Sequence, residues 1–226
     1  MSLATWFWER LNALTPAQMT MALLVASAVL YLVEERRVAL VALFAQYLLV
    51  GVIIGSYVYR PILYLFLGIG TAVFLVLLLS AGRAERIVRD ARARFAAAGQ
   101  AASGSSSALP SESMGPLFNS MTLVLAGVAA YEIWRAYPIA AIPGELTLVS
   151  YWLACNGLLL ALISTGPLRI GYGLLTFLNG VVSAFLVMER SLLVFALVGA
   201  LYGIIAMGIA ICTEAWLVTI RGDTES

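Results

Sequence analysis

The chain has 226 residues, of which 62% are hydrophobic and only 11% charged, with a mean hydropathy of +0.98. Soluble globular domains are about a quarter charged, so this composition excludes that class and points to a bilayer as solvent. A net charge of +1 carries no signal for nucleic acid.

Residue types missing from the chain narrow the chemistry further. There is no His, which removes the commonest haem ligand and the usual proton shuttle near neutral pH. Cys155 and Cys212 lie in different apolar runs and form no CxxC pair, so they read as small hydrophobes. No catalytic residue, metal ligand or cofactor-binding motif is expected.

Taken in order, residues 1–16 read as an amphipathic segment lying at the membrane interface. Leu3, Trp6, Phe7, Leu11 and Leu14 recur at helical spacing, Glu9 and Arg10 lie on another face, and Pro16 ends the segment. A basic start and a small-residue cleavage site are missing, so the segment is expected to be retained. Residues 17–81 then hold three apolar runs, about Ala17 to Val33, Val38 to Val58 and Ile62 to Ala81. Each fits a bilayer of about 30 Å only as a helix, because a helix satisfies its own backbone hydrogen bonds.

Residues 82–115 form the long polar segment. Arg83, Arg86, Arg89, Arg92 and Arg94, mixed with Glu85 and Asp90, predict that the third helix continues into water. The Ala, Gly and Ser content after Gly99 predicts a flexible linker. Residues 116–220 hold four more runs, about Pro116 to Ile133, Leu146 to Ile163, Ile170 to Met188 and Ser191 to Cys212, the last extended by Glu214 to Ile220. Residues 221–226 are a polar tail. The prediction is therefore an all-α, multi-pass transmembrane bundle of about seven spans, three and four, split by an Arg-rich cytoplasmic linker.

Alternate sides of such a bundle carry nine and four of the 13 Arg residues. By the positive-inside rule the amino terminus lies outside, and the linker and carboxyl terminus are cytoplasmic. The membrane expected is a bacterial or archaeal plasma membrane.

No Asp, Glu or Arg falls near the centre of a run, which argues against an autonomous ion pump. The intramembrane polar residues are Gln46, Thr71, Asn119, Thr122, Asn156, Thr176 and Asn179. Interhelical hydrogen bonding is the expected role of each, with Asn156 and Asn179 at similar depth and able to pair. Gly199 and Gly203 form a GxxxG suited to close helix packing.

The Asn179 run also carries a resemblance. Gly173-Leu174-Leu175-Thr176-Phe177-Leu178-Asn179-Gly180 is similar to the Gly-Leu-Glu-x-Met-x-Asn-Ala helix of the K subunit of respiratory complex I. That three-helix unit, here residues 146–220, is preceded by further helices in the hydrogenase-4 component E family, which this chain resembles in organisation. Val198-Gly199-Ala200-Leu201-Tyr202-Gly203 lies where the family has Val-Ala-Ala-Ala-Glu-Ala. The family's two intramembrane glutamates fall on Leu175 and Tyr202, so its proton path is missing here or supplied by a partner.

The resemblance implies a non-catalytic membrane subunit of a complex I-like or membrane-bound hydrogenase-type assembly. It would pack beside antiporter-like subunits and a soluble redox arm, within an oxidoreductase complex coupled to ion translocation. Two other classes stay open: a structural or assembly scaffold of another energy-converting complex, and a small transporter.

Overall fold

A computed structural model of the protein describes residues 16–33, 35–57, 60–99, 116–189 and 191–223. All regular structure among them is α-helical: α1 (Pro16–Leu32), α2 (Arg36–Tyr57), α3 (Arg60–Gly99), α4 (Pro116–Ala136), α5 (Gly144–Ile163), α6 (Pro167–Met188) and α7 (Leu192–Asp223). The expected interfacial segment before Pro16, the linker at 100–115 and the end of the tail lie outside the described residues.

Six of these helices are long and apolar enough to cross a membrane, in windows from Arg37–Gly55 to Leu193–Trp216. The other, α1, has 17 residues and falls just short on length. The third helix does continue past its apolar window. It has 40 residues, about 60 Å at 1.5 Å per residue, twice what the bilayer core needs. Proline sets the start of α6, with Pro167 in the first turn, where its missing N–H has no intrahelical partner to lose.

The helices pack as two facing rows. In one row α2 lies between α1 and α3; in the other α6 lies between α5 and α7, with α4 flanking α5 and α1. Across the rows α1 faces α5, α2 faces α6 and α3 faces α7. Neighbours within a row run antiparallel, and the contacts Arg169–Tyr31 and Arg83–Glu214 join matching ends across the rows, so facing helices run parallel. Leu23, Leu43, Leu77, Leu153, Leu175 and Phe195 belong to the shared apolar core, none more than 1% exposed.

A side-chain hydrogen bond ties each facing pair. Trp152 Nε1 donates to Ser27 Oγ between α5 and α1. Thr176 Oγ1 donates to Gln46 Oε1 between α6 and α2. Arg83 pairs with Glu214 at 2.8 Å between α3 and α7. Arg169, at the start of α6, adds a bond of 3.1 Å to the Tyr31 carbonyl at the end of α1. That places a cation on a carbonyl left free by the helix terminus.

These ties differ in weight. Ser27 is 2% exposed and its bond lies inside the bundle, so Ser27→Ala is expected to cost about 0.6 kcal/mol. Arg83 and Glu214 are 69% and 50% exposed, and solvent screens the pair. Arg83→Ala is therefore expected to change stability by less than about 1 kcal/mol. Thermal unfolding in detergent, followed by tryptophan fluorescence, checks both.

The expected interhelical role is not what the structure gives Thr71, while Thr122 lies within reach of the Tyr31 hydroxyl on α1. Thr71 Oγ1 bonds the Leu67 carbonyl and Thr122 Oγ1 the Phe118 carbonyl, each four residues back in its own helix. A hydroxyl satisfied in this way needs no neighbour, which lets Thr71 face outward.

Candidate functional site

The site grows out of how closely α5 and α6 approach. Gly157 on α5 and Gly173 on α6 lie against each other's backbones. A Cβ at Gly157 would come 2.6 Å from Gly173 O, and one at Gly173 would come 2.7 Å from Gly157 O. A Cβ at Gly180 would come 2.6 Å from Ser150 O. Gly173 and Gly180 are seven residues apart, close to two helical turns, so both lie on the α5 face. Ser150 and Ser183 hydrogen-bond across the same seam at 2.8 Å.

With α5 seated on the glycine face, the polar side of α6 meets α2 and α7. Thr176 reaches Gln46 on α2 at 3.5 Å. Asn179, less than a turn further on, accepts a 2.7 Å hydrogen bond from the Tyr202 hydroxyl on α7. The Tyr202 ring is held edge-on by two others, Tyr47 at 5.5 Å and Phe66 at 6.2 Å between centroids. Gly70 on α3 makes room for this stack, since a Cβ there would lie 3.0 Å from the Tyr47 Cβ.

Burial here is complete. Gln46, Asn179 and Tyr202 are 0% exposed, Thr176 1% and Tyr47 2%. Three polar atoms of this cluster have no hydrogen-bond partner in the protein: Gln46 Nε2, Tyr47 Oη and Asn179 Nδ2. The junction is thus polar, uncharged and only half paired.

The positions singled out from sequence are distributed as follows. Thr176, Asn179 and Tyr202 belong to the junction. Asn156 is 2% exposed, but both its side-chain polar atoms lack partners, so the expected pairing with Asn179 is not made. Tyr202 takes that acceptor instead. Gly199 packs on α3, where a Cβ would come 2.6 Å from Ile69 Cδ1. Gly203 is exposed, with nothing within 4 Å of a Cβ, so the GxxxG is not a two-glycine contact. Close packing lies at Gly157, Gly173 and Gly180.

Leu175 and Tyr202 are both 0% exposed. The described acidic residues inside the apolar windows, Glu132, Glu145 and Glu214, lie towards the ends of those windows and are exposed. Cys155 and Cys212 are free, the first half-buried and the second exposed.

Sequence reasoning missed Tyr47 and the Ser150–Ser183 pair. A tyrosine in an apolar run reads as an interface anchor or core residue. A serine in such a run reads as bonded to its own helix. The seven-residue spacing of Gly173 and Gly180 was the available signal for the α5–α6 seam.

No family model, no curated protein and no solved structure matches this chain.

Proposed function

We propose that the protein is a non-catalytic, seven-span membrane subunit of a complex I-like or membrane-bound hydrogenase-type assembly. In this reading α1 crosses the bilayer with the six longer helices. The amino terminus lies outside and the Arg-rich extension of α3 lies in the cytoplasm. Antiporter-like subunits and a soluble redox arm are its partners, and the plasma membrane is its place.

The observation that carries the proposal is what fills the middle of the bundle. Leu175 and Tyr202 occupy positions with no solvent exposure, beside an uncharged Gln46–Thr176–Asn179 cluster. A proton- or ion-moving protein keeps an ionisable group at mid-membrane for the charge to reside on. Among its described residues this bundle keeps no acidic or basic side chain there, only tyrosine hydroxyls, which supports a role beside another protein rather than as an autonomous pump. A subunit that completes another protein's interface needs only shape and a membrane-compatible core.

Helix continuity argues against the transporter alternative. Secondary transporters build midplane sites from broken helices, whose free backbone groups bind the substrate. Here α2 and α4 to α7 run unbroken through their apolar windows.

Blue-native electrophoresis of membranes solubilised in mild detergent tests the reading. The chain is expected in a band far heavier than its own 24.2 kDa. Migration as a detergent-bound monomer in every mild detergent would refute it.

A further inference from the structure

The unpaired atoms of the α2–α6–α7 junction have a consequence independent of any assembly. Gln46 Nε2, Tyr47 Oη and Asn179 Nδ2 are each buried and without a partner in the protein. Rotating either amide by half a turn exchanges which of its atoms is left over and removes none. Native proteins pair nearly all buried polar groups, and within a bilayer the lipid offers no substitute partner. Several orphaned groups in one cluster therefore call for a ligand.

The chemistry of the cluster selects that ligand. Two amide N–H2 groups offer donors, the Tyr47 hydroxyl offers a proton and lone pairs, and the Tyr202 hydroxyl, whose proton goes to Asn179, offers lone pairs. A water molecule accepts two hydrogen bonds and donates two, which matches this mixture. An ion does not match. No described charged side chain lies in the cluster, and its unpaired groups, two amide nitrogens and one hydroxyl, are too few and too mixed in polarity to replace an ion's hydration shell. A hydrocarbon ligand would leave the amides as they are.

We infer that the α2–α6–α7 junction is an internal water-binding site, held by Gln46 and Asn179 and capped by Tyr47 and Tyr202. The water completes the hydrogen bonds between the two rows and so forms part of the fold. Thr176, three residues before Asn179, orients the Gln46 amide towards it.

X-ray radiolytic labelling of the full chain in lipid nanodiscs tests this. Brief exposure turns bound water into hydroxyl radicals in place, which oxidise the side chains that touch it. Tyr47 and Tyr202 are expected to be oxidised, while Phe195, equally buried at 1% exposure and purely apolar, is not. The variant carrying Gln46→Leu and Asn179→Leu is expected to lose Tyr47 oxidation to the Phe195 background. Gel filtration shows whether that variant is folded. Wild-type labelling of both tyrosines no greater than that of Phe195 would overturn the inference whatever the variant does. Undiminished Tyr47 labelling in a folded variant would overturn it too, because the amides would then not hold the water.

Discussion

Replacing Gly157 by alanine is expected to be among the most damaging single changes in the protein. The added Cβ would overlap the Phe177 backbone and come 2.6 Å from Gly173 O. These are backbone atoms of a neighbouring helix, which cannot rotate aside as a side-chain tip can. Relief therefore means moving α5 away from α6 along its length. Overpacking in a well-packed core costs about 1–3 kcal/mol, and a clash with backbone on both sides belongs at the upper end. Separation would also strain the Ser150–Ser183 bond and shift Asn179 relative to Tyr202.

Gly203→Ala is the matched control. It adds the same methyl group to a helix but meets nothing within 4 Å, so its midpoint should equal wild type or rise slightly, as alanine favours helix. Tryptophan-monitored thermal unfolding of both variants in one detergent is the measurement. Equal midpoints would mean that α5 and α6 are not as close as described.

Leu175→Glu is expected to rank with it, for an electrostatic reason. Leu175 is 0% exposed on the inner side of α6, so a carboxylate there loses its water and gains no cation. Ionisable side chains at a helix centre in the membrane cost about 3 kcal/mol on insertion scales, more where no water defect can reach them. Leu175→Gln has nearly the same size and no charge, and is expected to cost clearly less. Denaturant unfolding of both variants against wild type separates the charge from the packing change. A stable glutamate variant would show that a partner or a water path reaches position 175.

These two predictions also mark what was legible in the sequence. Run length and hydrophobicity were enough to place α2 to α7, because an unbroken apolar run of about 20 residues is twice a barrel strand and satisfies its own backbone hydrogen bonds only as a helix. The continuation of α3 to Gly99 followed from charged residues spaced as on a helix. Asn179 stood out because a buried amide in an apolar run requires a partner. Which partner was not legible. Depth along the membrane put Asn156 level with Asn179, but depth says nothing about the direction a side chain faces around its helix. The glycine seam fixes that direction for α6, and it turns Asn179 to the Tyr202 hydroxyl.

Within the chain the GxxxG at Gly199 and Gly203 is used at Gly199 alone, for a related reason. Small residues four apart permit close packing on one face but do not supply a neighbour to pack against. Gly203 has none among the described residues, while Gly173 and Gly180, at a less familiar spacing, have α5. Tyr47 was invisible as a site residue because its role depends on Gly70 and Tyr202, each on another helix.

The central claim is that this bundle works as part of a larger machine. Tagging the carboxyl terminus, purifying in mild detergent and identifying the accompanying chains by mass spectrometry tests it most directly. The account predicts antiporter-like membrane subunits together with an iron–sulfur redox arm, in fixed proportion to the tagged chain. Recovery of the tagged chain alone, or only as copies of itself, would contradict it.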